Sequence, residues 1–263
     1  MHLRALQEEE RDTATLDWVS MKTHAPPEAV PRFAVVGAGR LGHALIGALD
    51  GAGASTLGPL ARGAAMPTTP VVILCVPESA LAEVSAMVPA GAIVGHCSAS
   101  APLDLLAPHE RFVAHPLMTF AGTGARFAGA TCAIDGSTPR ALGIAAEIVR
   151  LLDMRPVQVP SERRTLYHAA ASVAANFLVT LEAAAERLAA PCGIDRAALA
   201  PLVRAAVEHW AELGPAKALT GPIARGDEPT VAKQRAAVAD VAPDLLPLWD
   251  ALANATRAAR ASS

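Results

Sequence analysis

The residues best placed to do chemistry begin with Gly37-Ala38-Gly39-Arg40-Leu41-Gly42, a G-x-G-x-x-G run. It follows the apolar stretch Phe33–Val36 and opens a helical pattern that reaches about Leu49. In that setting the first glycine permits a tight turn and the second lets a ligand approach the backbone. The third lets helix and strand pack closely, so that the helix N-terminus faces a phosphate. The chemistry served is binding of a dinucleotide pyrophosphate, and a purely structural glycine turn is the plainer alternative. Beyond the second strand the chain reads Leu57-Gly58-Pro59-Leu60-Ala61-Arg62, a guanidinium where an NAD site usually carries an acid. Arginine matches a 2′-phosphate better than a carboxylate does. NADP is therefore expected ahead of NAD, with an exposed loop arginine as the alternative.

A second group lies far downstream. His168, Ser172, Asn176 and Thr180 recur every four residues among Ala, Val, Phe and Leu. That spacing sets four polar side chains along one side of an otherwise apolar helix. Buried polar groups need partners, since each unsatisfied one costs on the order of 1–3 kcal/mol. The seam either bonds a neighbouring helix or lines a cleft facing a nicotinamide, and the second reading is preferred. His168 is then the expected proton donor and Asn176 the group that orients substrate.

Two further clusters could close such a cleft. His96-Cys97-Ser98-Ala99-Ser100 ends a strand at the carboxyl edge of a sheet, where open α/β folds bind ligands. His115-Pro116-Leu117 follows the next strand, making His115 a second candidate for proton transfer. Thr220, Arg225 and Asp227 sit in a polar break between helices that could anchor a substrate carboxylate or merely cap a turn.

The elements that must position these residues alternate. Strands are expected at 33–36, 54–57, 71–76, 92–96, 112–114, 131–134 and 156–159. Helices are expected at about 79–88, 102–107 and 140–152 between them. Such alternation argues for a parallel, doubly wound sheet. Gly58, Pro59, Gly63, Pro67 and Pro70 leave little room for a crossover helix after the second strand. After Pro160 the strand signals stop, and 163–190, 195–213, 229–240 and 244–260 are Ala/Leu-rich with helical spacing. The expected organisation is an extension at 1–30, a Rossmann-type α/β domain at 31–160 and an all-α domain at 161–263.

Composition excludes several classes. Of 263 residues 52% are hydrophobic but only 3% aromatic, so the core must be built from Ala, Leu and Val. A net charge of −3 with no basic stripe gives no nucleic-acid partner. Cys75, Cys97, Cys132 and Cys192 are widely spaced, which suits reduced thiols in the cytoplasm better than a metal site. Residues 1–20 hold the charge run Glu8–Asp12 and no apolar run, so neither a signal peptide nor a function is expected of them. The most apolar long stretch, Leu166–Leu181, contains His, Ser and Asn, which argues against a membrane span.

The glycine loop, Val76-Pro77, His115-Pro116-Leu117, Tyr167-His168 with Asn176, and Leu219–Asp227 together resemble an uncharacterised bacterial family. That family joins a Rossmann-like domain to a helical domain of unknown function (2520), and the resemblance runs from about residue 32 to the C-terminus. The wider superfamily includes ketopantoate reductase, pyrroline-5-carboxylate reductase, prephenate dehydrogenase and the β-hydroxyacid dehydrogenases. This kinship implies a helical domain of the 6-phosphogluconate dehydrogenase C-terminal type, and a homodimer through it. In the hydroxyacid and ketopantoate enzymes a Lys and an Asn sit one turn apart on the first helix of that domain. Asn176 matches the Asn, but Ser172 stands where the Lys would be, which turns attention to His168. His115 is similar to the histidine of the prephenate dehydrogenase His-Pro motif, which acts on substrate. The Arg225–Asp227 loop is similar in place to the polar substrate-binding segment of ketopantoate reductase.

The resulting expectation is an NADP-dependent reductase of a small 2-oxo acid or, second, a cyclic imine. His168 or His115 supplies the proton, Asn176 orients substrate, and Ser172, Thr220, Arg225 and Asp227 bind it. Gly37–Gly42, Arg62, Val76, Pro77 and Ser98 hold the cofactor. A dinucleotide-binding sensor without catalysis is the alternative, and the missing Lys is the feature that suggests it.

Overall fold

A computed structural model describes residues 31–120 and 125–261; the extension expected at 1–30 lies outside them. The chain divides into two compact units, the first ending at Ser172 and the second running from Val173.

The first unit is built on seven strands: β1 Phe33–Val36, β2 Thr56–Leu60, β3 Val71–Leu74, β4 Ile93–His96, β5 Glu110–Pro116, β6 Thr131–Gly136 and β7 Arg155–Gln158. Their order across the sheet is β2-β1-β3-β4-β5-β6-β7. The order reverses at β1, with β2 on one side and β3 on the other, and that is where open α/β sheets leave a crevice. Helices α1 Arg40–Gly51, α2 Leu81–Ala86 and α3 Pro139–Leu151 connect strands. Residues 61–70 between β2 and β3 form no helix, as the glycines and prolines there dictate.

One expectation fails in part: the sheet is not wholly parallel. β5 and β6 run antiparallel, with His115 opposite Ala133 and Pro116 opposite Cys132. A parallel return requires a long crossover, usually helical. The described residues between Pro116 and Thr131 contain no helix, so the chain folds back beside the strand it has just left. The expected helix at 102–107 is likewise a short 3₁₀ segment, Leu103–Leu106.

Alternate strand residues face opposite sides. On one face Val35, Ile73, Ile93, Phe112 and Ile134 pack with Leu45 and Leu49 of α1 and Ile148 of α3. On the other, Ala34, Val36, Val72, Leu74 and Val94 pack with Leu81 of α2 and with Leu106. That second face changes character across the sheet. The paired residues Leu74, His96, Val113 and Asp135 form one row over four strands, and His115 lies two residues beyond Val113. Over this polar half lies α4 (Arg164–Ser172), which buries Arg164.

The second unit begins with a π-helical turn, Val173–Phe177, followed by α5 Leu178–Ala189 and α6 Arg196–Ala218. α6 is interrupted at Gly214, whose φ of 72° is left-handed. The short α7 (Gly221–Arg225), α8 (Glu228–Val241) and α9 (Leu246–Ala261) complete it. Arg187 pairs with Asp244, Arg235 with Asp250, and Arg257 with Glu228, tying helices whose alanine faces offer little apolar area. No helix among the described residues is long and apolar enough to cross a membrane.

Candidate functional site

The glycine turn has the geometry its spacing predicts. Gly37 has φ +113°, and a Cβ there would stand 2.3 Å from the Cys75 carbonyl oxygen. A Cβ on Gly42 would meet the Gly37 carbonyl oxygen at 1.9 Å, so helix and turn touch backbone to backbone. Gly39 differs, since a Cβ there would meet nothing within 4 Å. It is the N-cap of α1, no side chain caps it, and no acid occupies the first turn. The first-turn N–H groups are therefore left for an anion, and Gly39 leaves the approach open. Ala38, Gly39 and Arg40 are exposed beside it, while Leu41 packs inward.

The end of β2 is tied to this turn, for the Gly37 amide donates to the Leu60 carbonyl at 2.8 Å. Arg62 follows two residues later, in the turn beyond that strand, and is exposed. Val76 and Pro77 leave β3 on the other side. Ser98 follows β4, and its hydroxyl donates to Glu78 Oε2 at 3.0 Å, as does that of Ser100 at 2.9 Å. The Ser98 oxygen also accepts from the amides of Ser100 and Ala101. The loops after β3 and β4 are thus locked together, with the Glu78 carboxylate exposed among them.

A second polar centre lies on the other half of the sheet. His115 Nδ1 and the Tyr167 hydroxyl are 2.8 Å apart, and their rings meet edge to face at 5.5 Å. Burial first, then the charges of His168 and Arg164, lower the His115 pKa to about 4. Burial pushes the Tyr167 phenol up to about 12. Near neutral pH the pair is thus an uncharged imidazole beside an un-ionised phenol. His96 is fully buried and also lowered to about 4, by burial and then by Arg164. Its Nδ1 accepts from the Ser98 amide at 3.1 Å, which puts the proton on Nε2. That Nε2 is buried without a hydrogen-bond partner, as is Nε of Arg164.

His115 and His168, both expected in the site, lie within the first unit, and the His168 charge helps to lower His115. His168 is exposed and Ser172 half-buried. The seam was expected to line a cleft or to bond a neighbouring helix. Its apolar neighbours Leu166, Val173, Phe177 and Val179 are between 58% and 70% exposed among the described residues. Asn176 and Thr180 belong to the second unit, and the Thr180 hydroxyl donates to the Asn176 carbonyl at 3.1 Å. Also in that unit, Thr220 caps α7 through its backbone, Arg225 is exposed at its end, and Asp227 caps α8 by accepting from the Thr230 amide. Tyr167 entered the sequence reading only as part of the resemblance, and Arg164 and Asp135 not at all. The signal available was strand parity, which sets Asp135 in line with His96 one row from His115. Among the described residues no three His, Cys, Asp or Glu gather as metal ligands.

Sheet order, glycine turn and helical second unit define the architecture: a Rossmann-type α/β unit followed by an all-α one. Residues 130–256 match the family described as Domain of unknown function (DUF2520). No curated protein matches the sequence. Solved structures of like fold include a protein from Bacteroides fragilis provisionally designated an NADP oxidoreductase. It is 22% identical, with a TM-score of 0.75 over 86% of this chain and 98% of that one. A reductive aminase from Aspergillus terreus in complex with NADPH and ethyl-5-oxohexanoate is 16% identical, with a TM-score of 0.62 over 88% and 96%. Pyrroline-5-carboxylate reductase from Streptococcus pyogenes is 13% identical, with a TM-score of 0.57 over 88% and 98%.

Proposed function

We propose that the protein is an NADP(H)-dependent oxidoreductase that reduces a C=N or C=O bond of a small molecule. The observation that carries this reading is the neutral His115–Tyr167 pair, on the same sheet as a glycine turn whose Gly39 leaves a helix N-terminus open. β5 is three strand spacings from β1, about 14 Å, a span that a dinucleotide laid across the switch point covers. Gly37–Gly42 would hold the pyrophosphate, Arg62 the 2′-phosphate, and Val76, Pro77 and Ser98 the nicotinamide half. When bound, the cofactor supplies the hydride.

The chain's own residues handle the proton. In its Nδ1–H tautomer, uncharged His115 donates to the Tyr167 oxygen, which frees the phenol proton for substrate. Tyr167 then releases that proton to the substrate nitrogen or oxygen as it becomes basic, and His115 stabilises the phenolate. His168 is the next group along α4 and the route by which the proton is replaced. Asn176 would orient substrate, with Arg225 or Thr220 anchoring its carboxylate and Ser172 and Asp227 as further substrate-binding residues. The Aspergillus protein is named a reductive aminase and the Streptococcus one a pyrroline-5-carboxylate reductase, which supports a cyclic imine beside a 2-oxo acid.

The test is NADPH oxidation by the purified protein over panels of 2-oxo acids and cyclic imines, with NADH as comparison. Turnover of either panel, and tighter NADPH binding that Arg62→Ala removes, is the expected result. No turnover with any member despite tight NADPH binding would make the protein a sensor instead. We further propose a cytoplasmic homodimer. Four free cysteines suit the location. The dimer rests on the apolar residues left open in the second unit, Phe177 at 61%, Leu202 at 68% and Trp210 at 59%.

A further inference from the structure

We propose that Cys75 and Cys97 are a reversible modification site, oxidised by peroxide to a disulfide directly beneath the glycine turn. The β3–β4 ladder runs in register from Val71 opposite Ile93 to Leu74 opposite His96. The next pair is therefore Cys75 opposite Cys97, and both side chains belong to the face that packs with α1. Neighbouring strands lie about 4.8 Å apart, within the Cα separation of roughly 4.4–6.8 Å that a disulfide spans. The thiols already interact: the Cys97 thiol, more than burial, raises Cys75. The remaining cysteines are placed differently. Cys132 is fully buried opposite Pro116 on β6, and Cys192 is exposed in the second unit.

Exposure sets the order of events. Cys75 is half-buried and Cys97 is 8% exposed, so peroxide reaches Cys75 first. The Cys75 sulfur attacks one peroxide oxygen and the O–O bond breaks. The other oxygen leaves with the thiol proton as water, and Cys75 becomes a sulfenic acid. The Cys97 sulfur then attacks the Cys75 sulfur, the S–O bond breaks, and a second water departs with the Cys97 proton. Two thiols have lost two electrons and two protons, and one peroxide has accepted them. Because its surroundings keep Cys75 protonated, the first step quickens as pH rises.

The glycine turn leans on this residue. The Cys75 carbonyl is what a Cβ on Gly37 would strike, and the Cys75 Cβ is 3.6 Å from where a Gly42 Cβ would stand. A bond to Cys97 ties the Cys75 side chain, which borders Gly42, to β4 and so alters that support. Formation of the bond follows from register and exposure alone; its effect on dinucleotide affinity rests on the proposed cofactor site.

The experiment treats the full chain with hydrogen peroxide, then measures intact mass, a non-reducing peptide map and NADPH affinity by fluorescence. The expected result is loss of two hydrogens, a Cys75–Cys97 linked peptide, and Cys132 and Cys192 still open to alkylation after unfolding. NADPH affinity should fall about tenfold, an ordinary coupling between sites, and return with dithiothreitol. Cys97→Ser should abolish both changes, and Cys97→Ala serves if the serine variant folds poorly by circular dichroism. Sulfinic acid at Cys75, or a bond to Cys132 or between chains at Cys192, overturns the proposal. A correct disulfide with unaltered NADPH affinity overturns its regulatory meaning. A reduced protein that binds no NADPH rejects the cofactor reading instead, while the peptide map still decides whether the bond forms.

Discussion

The guanidinium of Arg164 meets the carboxylate of Asp135 at 3.3 Å, with 2% of the arginine side chain exposed and 17% of the aspartate. Burial works against the arginine's charge and Asp135 works for it, with burial the stronger influence. Asp135→Asn should therefore leave a buried cation uncompensated and destabilise the protein by about 3–5 kcal/mol. The double replacement Arg164→Met with Asp135→Leu should cost less than the single change. Urea unfolding checks both, and a loss below about 1 kcal/mol for Asp135→Asn, the size of an exposed pair, would count against a buried pair.

Tyr167→Phe keeps the ring against His115 and removes only the hydroxyl. Turnover should fall by about 10²–10⁴-fold, the scale of general acid catalysis, with NADPH affinity and melting temperature nearly unchanged. Steady-state kinetics beside a fluorescence titration separates these. A variant that keeps full turnover would transfer the proton role to His168, which His168→Ala tests in the same assay.

Stability should fall as pH drops from about 6.5 toward 4. The folded pKa of His96 is lowered to about 4, so the unfolded chain takes up the proton first. The contribution is complete above 6.5 and is lost through that window, amounting to about 3 kcal/mol for a group this buried. His115 acts in the same direction. Thermal melts at intervals of pH should show the slope, and His96→Asn should flatten it. A flat wild-type profile would contradict the burial of both imidazoles.

Two glycines of one turn should behave oppositely. Gly42→Ala forces a Cβ against the Gly37 carbonyl and should lower the melting temperature strongly. Gly39→Ala meets no atom within 4 Å and needs no left-handed backbone, so folding should be unaffected. Its methyl would occupy the approach of a phosphate, and NADPH affinity should drop. Equal affinity for Gly39→Ala and wild type would remove the pyrophosphate from this turn.

Sedimentation velocity should give a dimer, and Phe177→Glu combined with Trp210→Glu should dissociate it without unfolding the first unit. Both residues are more than half exposed in the single chain. A monomeric wild-type protein at micromolar concentration would refute the interface.

The α/β unit was readable because its signals are local. VVILCV is a continuous β-rich run whose first four residues form the buried β3, and the glycine hexapeptide carries its own turn, helix start and close contact. The bounds of β1 and α3 fell within a residue or two of expectation. The reversal between β5 and β6 was not readable, since strand direction depends on how the chain returns and not on the strand's composition. Arg164 was hidden for a related reason. It stands in a charged stretch, Ser161-Glu162-Arg163-Arg164, that resembles a solvated helix start. Only the row formed by His96 and Asp135 on separate strands makes one of its arginines an interior residue. The polar seam at 168–180 was legible as spacing, but its exposure depends on what covers the helix.

The change from apolar to polar along one face of the sheet also bears on how β4 finds its place. His96 and Cys97 are neighbours in sequence yet serve opposite faces, the imidazole in the polar row and the thiol beside Phe112 and Ile148. A slip of one residue would drive the imidazole into the apolar layer and turn Gly95, which accommodates the Phe112 ring, to the other side. A Cβ at Gly95 would stand 2.2 Å from that ring. The strand therefore carries its own proofreading: every misaligned pairing presents either a stranded imidazole or a displaced phenyl, and only the native alignment avoids both.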